Sequence, residues 1–150
     1  MLKDNIEAKG TLSLVLTDEF GNVKQQDEHN LVVSTGLAYI TSRMKDTTAG
    51  AMSHMAVGAG TVAAAAGNSA LGSELGRVAL TSTTIVTTTV ANDAIQYVAT
   101  FPAGTGTGAV TEAGVLNAAS AGTLLCRTVF PVINKGALDT LTITWKVTVA

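Results

Sequence analysis

The sequence predicts a mainly β protein, an antiparallel β-sandwich-like domain with one short α-helix over about residues 34–46. The clearest sign is the segment Leu141 to Val149. There Leu141, Ile143, Trp145, Val147 and Val149 alternate strictly with Thr142, Thr144, Lys146 and Thr148. A period of two with β-branched residues on both faces marks a strand. A second sign is composition: 47 % hydrophobic residues with only 4 % aromatics leave the core to Val, Leu, Ile and Ala. A third is punctuation, since short apolar runs recur along the chain between Gly-, Asn- and Asp-containing turns.

In order along the chain, Met1 to Lys9 reads as a charged N-terminal arm. Gly10 to Leu16 alternates, Asp18 to Asn22 supplies turn residues, and Val23 to Val33 returns as a second strand of a hairpin. The middle of that strand, Lys24 to Asn30, is polar on both faces, which suits an exposed or edge segment. Ser34 or Thr35 is placed to cap the helix, whose apolar stripe is Leu37, Ile40, Thr41 and Met44, with Arg43, Lys45 and Asp46 outside. Met52 to Val57 is a short strand. Residues 61–76 are a long connection rich in Ala, Gly and Ser, because Gly67, Gly72 and Gly76 interrupt its helix formers. Strands are then expected over Val78–Thr84, Ile85–Val90, Ala94–Phe101, Val110–Asn117, Leu124–Pro131 and Leu141–Val149. Seven or eight strands with one helix fit a single domain over 1–150.

Charge is sparse. Charged residues make up 13 % of the chain, against roughly 25 % in ordinary soluble domains. A surface of Thr, Ser and Ala is easier to bury against protein than one of Lys and Glu, because it carries less desolvation cost. The net charge of −2 and the lack of a basic run argue against nucleic acid as a partner. A single cysteine, Cys126, excludes an intrachain disulfide. The first residues lack the apolar core of a signal peptide, and no stretch suits a membrane helix.

Several short patterns invite a chemical reading and are outweighed by context. Gly58-Ala59-Gly60-Thr61-Val62-Ala63 matches the dinucleotide fingerprint. No βαβ alternation follows it, and Thr81–Thr84 stands where the acidic ribose ligand belongs; glycines permitting a turn are the simpler account. Gly104-Thr105-Gly106-Thr107-Gly108 lacks the Lys of a P-loop and suits a bend with positive φ. His29 and His54 lack the spacing of a metal helix, and no nucleophile signature surrounds Cys126. No catalytic residue, cofactor or metal is therefore expected. Glu112 sits in an apolar strand and calls for a cation. Arg127 on the next strand is the natural partner, within the chain in preference to between subunits. Lys24, Gln26, Glu28 and His29 are the candidate contact residues, with the 61–76 loop as a second contact surface.

Some of these stretches resemble tailed-bacteriophage virion proteins. Val57-Gly58-Ala59-Gly60-Thr61 followed by Ala70-Leu71-Gly72-Ser73-Glu74-Leu75-Gly76-Arg77 is similar to a "VGxGT" and "xALxxELxR" pair in that group. Thr111-Glu112-Ala113-Gly114-Val115, Gly122-Thr123-Leu124-Leu125-Cys126-Arg127 and Phe130-Pro131 with Lys135 resemble the "EAG(I/V)" strand, "GxLL" strand and "FPxxxK" turn of the tail-fibre attachment region. The likeness spans about residues 30–150. It implies a non-enzymatic, homo-oligomeric structural protein (trimer or dimer) of the virion, made in the host cytoplasm. The chain lacks a fibre's repetitive shaft and receptor-binding tip. The implied roles are a head-decoration (cement) protein bound to the major capsid protein, or a tail or baseplate component at the fibre junction. A carbohydrate-binding sandwich is a more distant reading, disfavoured by the scarcity of aromatics.

Overall fold

The computed structural model describes residues 4–45 and 49–150. Asp46, the last residue of the expected helix, lies outside them, as does the start of the expected N-terminal arm. The protein is mainly β: nine strands and one helix occur among the described residues. They are β1 (Ala8–Thr17), β2 (Val23–Val32), α1 (Ser34–Lys45), β3 (His54–Gly58), β4 (Glu74–Ala79), β5 (Ser82–Val86), β6 (Ala94–Phe101), β7 (Gly108–Leu116), β8 (Leu124–Lys135) and β9 (Thr140–Val149). All ladders are antiparallel, in the order β4-β3-β7-β8-β2-β1-β9-β6-β5. The sheet curls on itself to give two layers. One is β2-β1-β9-β6-β5 and the other is β8-β7-β3-β4; β2 and β8 join them through only Leu31↔Arg127 and Val32↔Cys126.

The core lies between these layers. Leu12, Leu14, Tyr97, Phe101, Ile143 and Trp145 from one face Met55, Val57, Val110, Val115 and Phe130 from the other. The β9 alternation holds through Val147, while Val149 at the strand's end is exposed. Trp145 is fully buried, and its indole N–H donates to Asn30 Oδ1 at 3.0 Å. This bond explains a glycine. Gly10 stands opposite Asn30 in the ladder, and a Cβ there would strike the Asn30 side chain.

Five expectations change. The N-terminal arm is shorter than residues 1–9, because Ala8 and Lys9 pair with Val149 and Thr148, and Glu7 exchanges backbone hydrogen bonds with Ala150. The helix faces the core differently. Leu37, Thr41 and Met44 are exposed, while Gly36 is buried and Tyr39 and Ile40 pack on the core. A Cβ on Gly36 would fall 1.9 Å from the Leu125 carbonyl oxygen, so this glycine lets the helix lie directly on β8. The Thr35 hydroxyl donates to the Leu124 carbonyl at 2.7 Å, fastening the helix to the same strand.

The expected Val78–Thr84 strand is divided. Residues through Ala79 pair with β3, and from Ser82 the chain pairs with β6, so it changes layers at Leu80–Thr81. The expected Ile85–Val90 strand ends at Val86, because Asp93 draws the next residues into a turn. Its carboxylate accepts the N–H groups of Thr88, Thr89 and Val90 and the Thr88 hydroxyl. Finally, Phe130 to Lys135 is strand, not turn. Val110 pairs with Ile133 and Gly108 with Lys135, and β7 is irregular between Val110 and Glu112. Pro131, which has no N–H to give, sits beside that irregularity.

Replacing Trp145 with Ala removes the largest fully buried side chain and strands the Asn30 carbonyl. The expected cost is about 3–5 kcal/mol, read as a fall in the urea unfolding midpoint. An unchanged midpoint would place the indole outside the core.

Candidate functional site

A site built on Glu112 and Arg127 organises one whole face of the β4-β3-β7-β8 layer. The residues are on adjacent strands, with Glu112 opposite Val129 and Gly114 opposite Arg127, so the two side chains are diagonal neighbours on one face. Both are buried, Glu112 fully. Arg127 donates to Glu112 Oε2 through Nε at 2.9 Å and lies within 2.8 Å of it through Nη2. The pair is within one chain.

The carboxylate does more than meet a cation. Oε1 accepts the backbone N–H of Gly60 at 2.9 Å and of Ser73 at 2.7 Å, and Oε2 accepts that of Gly72 at 2.8 Å. These three amides belong to the two ends of the connection between β3 and β4, which leaves the sheet after Gly58 and rejoins it at Glu74. Arg127 holds the middle of the same loop: Nη1 donates to Asn68 Oδ1 at 3.0 Å and Nη2 to the Val62 carbonyl at 3.1 Å. Thr111 adds a hydroxyl bond to the Gly60 carbonyl, and the Ser34 amide bonds the Ala66 carbonyl.

The small residues of the loop have a specific cause. A Cβ on Gly58 or Gly60 would fall 2.5 or 2.4 Å from Glu112 Oε1. Neither glycine has positive φ, so the turn-permitting account of this "GxG" is replaced by close approach to a carboxylate. Gly114 makes room in the same way for Leu71, whose Cδ1 would be 2.7 Å from its Cβ. Leu71 packs with Val33, Ala56, Leu116 and Leu124 in a second small core under the loop. The 61–76 connection is thus tied down along its length, and its last residues, Glu74 to Gly76, are strand. In Gly104-Thr105-Gly106-Thr107-Gly108, by contrast, all three glycines do take positive φ.

Burial pushes the Glu112 carboxyl pKa up, but the amides of Gly72 and Ser73, the Arg127 guanidinium and the amide of Gly60 outweigh it and leave it below its ordinary value. Arg77 was not foreseen as a tie. It forks onto Glu74 with Nε–Oε1 at 2.6 Å, and its Nη1 donates to the Ala118 and Ala121 carbonyls, both at 2.9 Å, in the β7–β8 turn. The "ELGR" spacing was its only sequence signal. Lys135 is buried as well, with Nζ donating to the Pro102 carbonyl at 3.0 Å. Burial lowers its pKa, and the charge of Asp139 opposes this.

Lys24, Gln26, Glu28 and His29 lie elsewhere, on the stretch of β2 that pairs only with β1 among the described residues. Lys24 and Gln26 border a cleft of about 150 Å³ between the layers, with Val132 and Asn134 opposite. Glu28 and His29 border a polar cup of about 360 Å³ with Gln96, Thr144 and Lys146. Gln26 Nε2 spans the cleft to the Pro131 carbonyl at 3.1 Å and also donates to Glu28 at 2.9 Å. The fold therefore separates the predicted residues into a buried tie and a polar strand on which Lys24 and His29 are exposed and Gln26 and Glu28 half-buried.

Cys126 is buried and its thiol pKa is pushed up by that burial, so it is held as a neutral small hydrophobe. His54 Nδ1 meets its neighbour Ser53 Oγ at 2.8 Å, and His29 lies in the opposite layer. Among the described residues no three His, Cys, Asp or Glu side chains are grouped to hold a metal, and no helix is long and apolar enough to cross a membrane. Comparison with protein-family models, with curated proteins and with solved structures gives no match.

Glu112→Gln leaves Arg127 as a buried cation without its counter-charge. The expected cost is about 3–5 kcal/mol, with new protease cleavage in the 59–73 loop. The acid profile has a definite sign. The folded-state pKa of Glu112 is depressed, so its contribution is fully present above the unfolded value of about 4.3 and is lost as pH falls through the lower folded value. Urea midpoints of wild type and Glu112→Gln are therefore expected to converge as pH drops below about 4. A constant gap between them across that range would contradict this role.

Proposed function

We propose that this protein is a non-enzymatic structural component of a tailed-phage virion, a small self-associating β module that decorates and cements the capsid by protein–protein contacts. The observation that carries the reading is the convergence of the phage-like sequence words on one place. "VGAGT" supplies Gly58 and Gly60, "ALGSELGR" supplies Leu71, Gly72 and Ser73, "EAG" supplies Glu112 and Gly114, and "LLCR" supplies Arg127. They are distant in sequence, yet all touch the Glu112 carboxylate, its guanidinium partner or the Leu71 pocket. Unrelated coincidences of short words have no reason to meet in this way. A likeness set by one shared buried arrangement does.

The physical character of the module supports the same reading. Its longest connection is hydrogen-bonded to the sheet instead of being left free, and its surface carries few charges to desolvate at a contact. The polar strand Lys24 to His29 and the outer surface of the 59–73 loop are the proposed contact surfaces toward the major capsid protein. A second reading, a tail or baseplate component, is favoured by the particular likeness of residues 111–135 to the tail-fibre attachment region.

Quantitative mass spectrometry of purified virions tests both. Decoration predicts copies in fixed proportion to the major capsid protein; a tail location predicts copies in proportion to tail proteins. Absence from the particle would overturn both readings.

A further inference from the structure

The sheet ends at two strands, β4 and β5, and only one of these ends is guarded. A free edge presents unpaired N–H and C=O groups to any other strand, and proteins protect such edges with charges, proline, bulges or cover. On β4, Glu74 and Arg77 form an ion pair, and the β3–β4 ladder is irregular at Val57/Gly58. The 104–108 loop also lies on this strand, since a Cβ on Gly76 would fall 2.7 Å from the Gly106 nitrogen. The open stretch of β2 carries Lys24, Asp27 and Glu28, and Gln26 reaches across it to the Pro131 carbonyl.

β5 has none of these devices. It reads Ser82-Thr83-Thr84-Ile85-Val86, paired with β6 on one side and with no strand on the other among the described residues. Residues 78–92 contain no charge, no proline and no glycine. The strand is exposed from Ser82 to Ile85. Ile85 is 64 % exposed although it stands opposite Ile95, which packs on the core. The facing layer has one strand fewer, and Ile85 is left uncovered.

The occupant of this edge follows from its charge and its number. An edge without charges offers no code for selecting a charged foreign strand. It does suit a second copy of itself, because antiparallel self-pairing opposes no like charges. Each chain has one such edge while β4 is guarded, so pairing stops at two copies.

We propose that β5 strands of two copies pair antiparallel about a two-fold axis through Thr84, with Thr83 of each copy opposite Ile85 of the other. The two β2-β1-β9-β6-β5 layers become one continuous sheet, the free backbone groups of β5 find partners, and each Ile85 gains a cross-strand neighbour. The contact is five residues a side, so the dimer is expected to dissociate on dilution. The inference concerns self-association alone, and absence of the protein from virions would leave it standing.

Sedimentation velocity over a concentration series gives the test, using full-length wild type, Thr84→Lys and Thr84→Glu. Thr84 is exposed, opposite Gln96, and near-ultraviolet circular dichroism from the buried Trp145 verifies that each variant is folded. Wild type is expected to form a reversible dimer and nothing larger. Each variant alone sets two like charges on the axis and is expected to dimerise about 10-fold more weakly. An equimolar mixture is expected to recover the wild-type affinity, because lysine then meets glutamate. A wild type that stays monomeric up to about 1 mM, or a mixture no tighter than its components, overturns the proposal. As a second measurement, Thr84→Cys is expected to give disulfide-linked dimers on mild oxidation, whereas wild type, whose one thiol is buried at Cys126, stays uncrosslinked. Monomers alone, or higher multimers, would contradict the two-fold contact.

Discussion

A buried carboxylate that gathers a loop is the constraint on which one half of this molecule depends. Glu112 is taken out of water at a cost that its Coulombic attraction to Arg127 alone does not reliably repay. The balance comes from saturation: both oxygens are filled by three backbone amides and a guanidinium. Those amides in turn belong to a connection with little apolar surface of its own. Each side solves the other's problem, since the loop has donors with no ladder to join and the carboxylate has lone pairs with no water.

This reciprocity determines much local sequence. Gly60 is a glycine because the carboxylate lies where its Cβ would be, Gly58 because the Ser73 carbonyl and the carboxylate both do, and Gly114 because Leu71 lies there. Arg127 extends the tie to Val62 and Asn68, and Asn68 Oδ1 also accepts the Ala65 amide. The other layer is held in a different way, by regular strand alternation around Trp145 and by its bond to Asn30. The two layers share few backbone bonds, so the core between them carries their association, together with Gln26 and Thr128 reaching across the open corner.

Strand periods and one buried charge pair were legible, and chemistry carried by the backbone was not. The β9 alternation and the β1–β2 hairpin follow from side-chain period and turn residues, and both are present. The Glu112–Arg127 partnership was legible because a carboxylate in an apolar strand demands a cation and only one lay on the next strand. The loop amides that complete the site left no such trace, because a backbone N–H has no letter in the sequence. Helix orientation was misread for a related reason. Of the expected stripe only Ile40 packs on the core, beside Tyr39; the close approach of Gly36 to Leu125 leaves Leu37 and Met44 outside. Likewise Asp93 ended a Thr/Val-rich run that propensity alone would continue as strand.

The most direct measure of the account is native-state hydrogen exchange at the Gly60, Gly72 and Ser73 amides. They lie outside any strand, and an untethered loop of this composition exchanges through local fluctuations of small free energy. Held by Glu112, they are predicted to exchange only on opening of the sheet itself, with protection matching that of β7 and β8. Fast exchange at all three, beside slow exchange in those strands, would contradict the claim that this carboxylate fastens the loop.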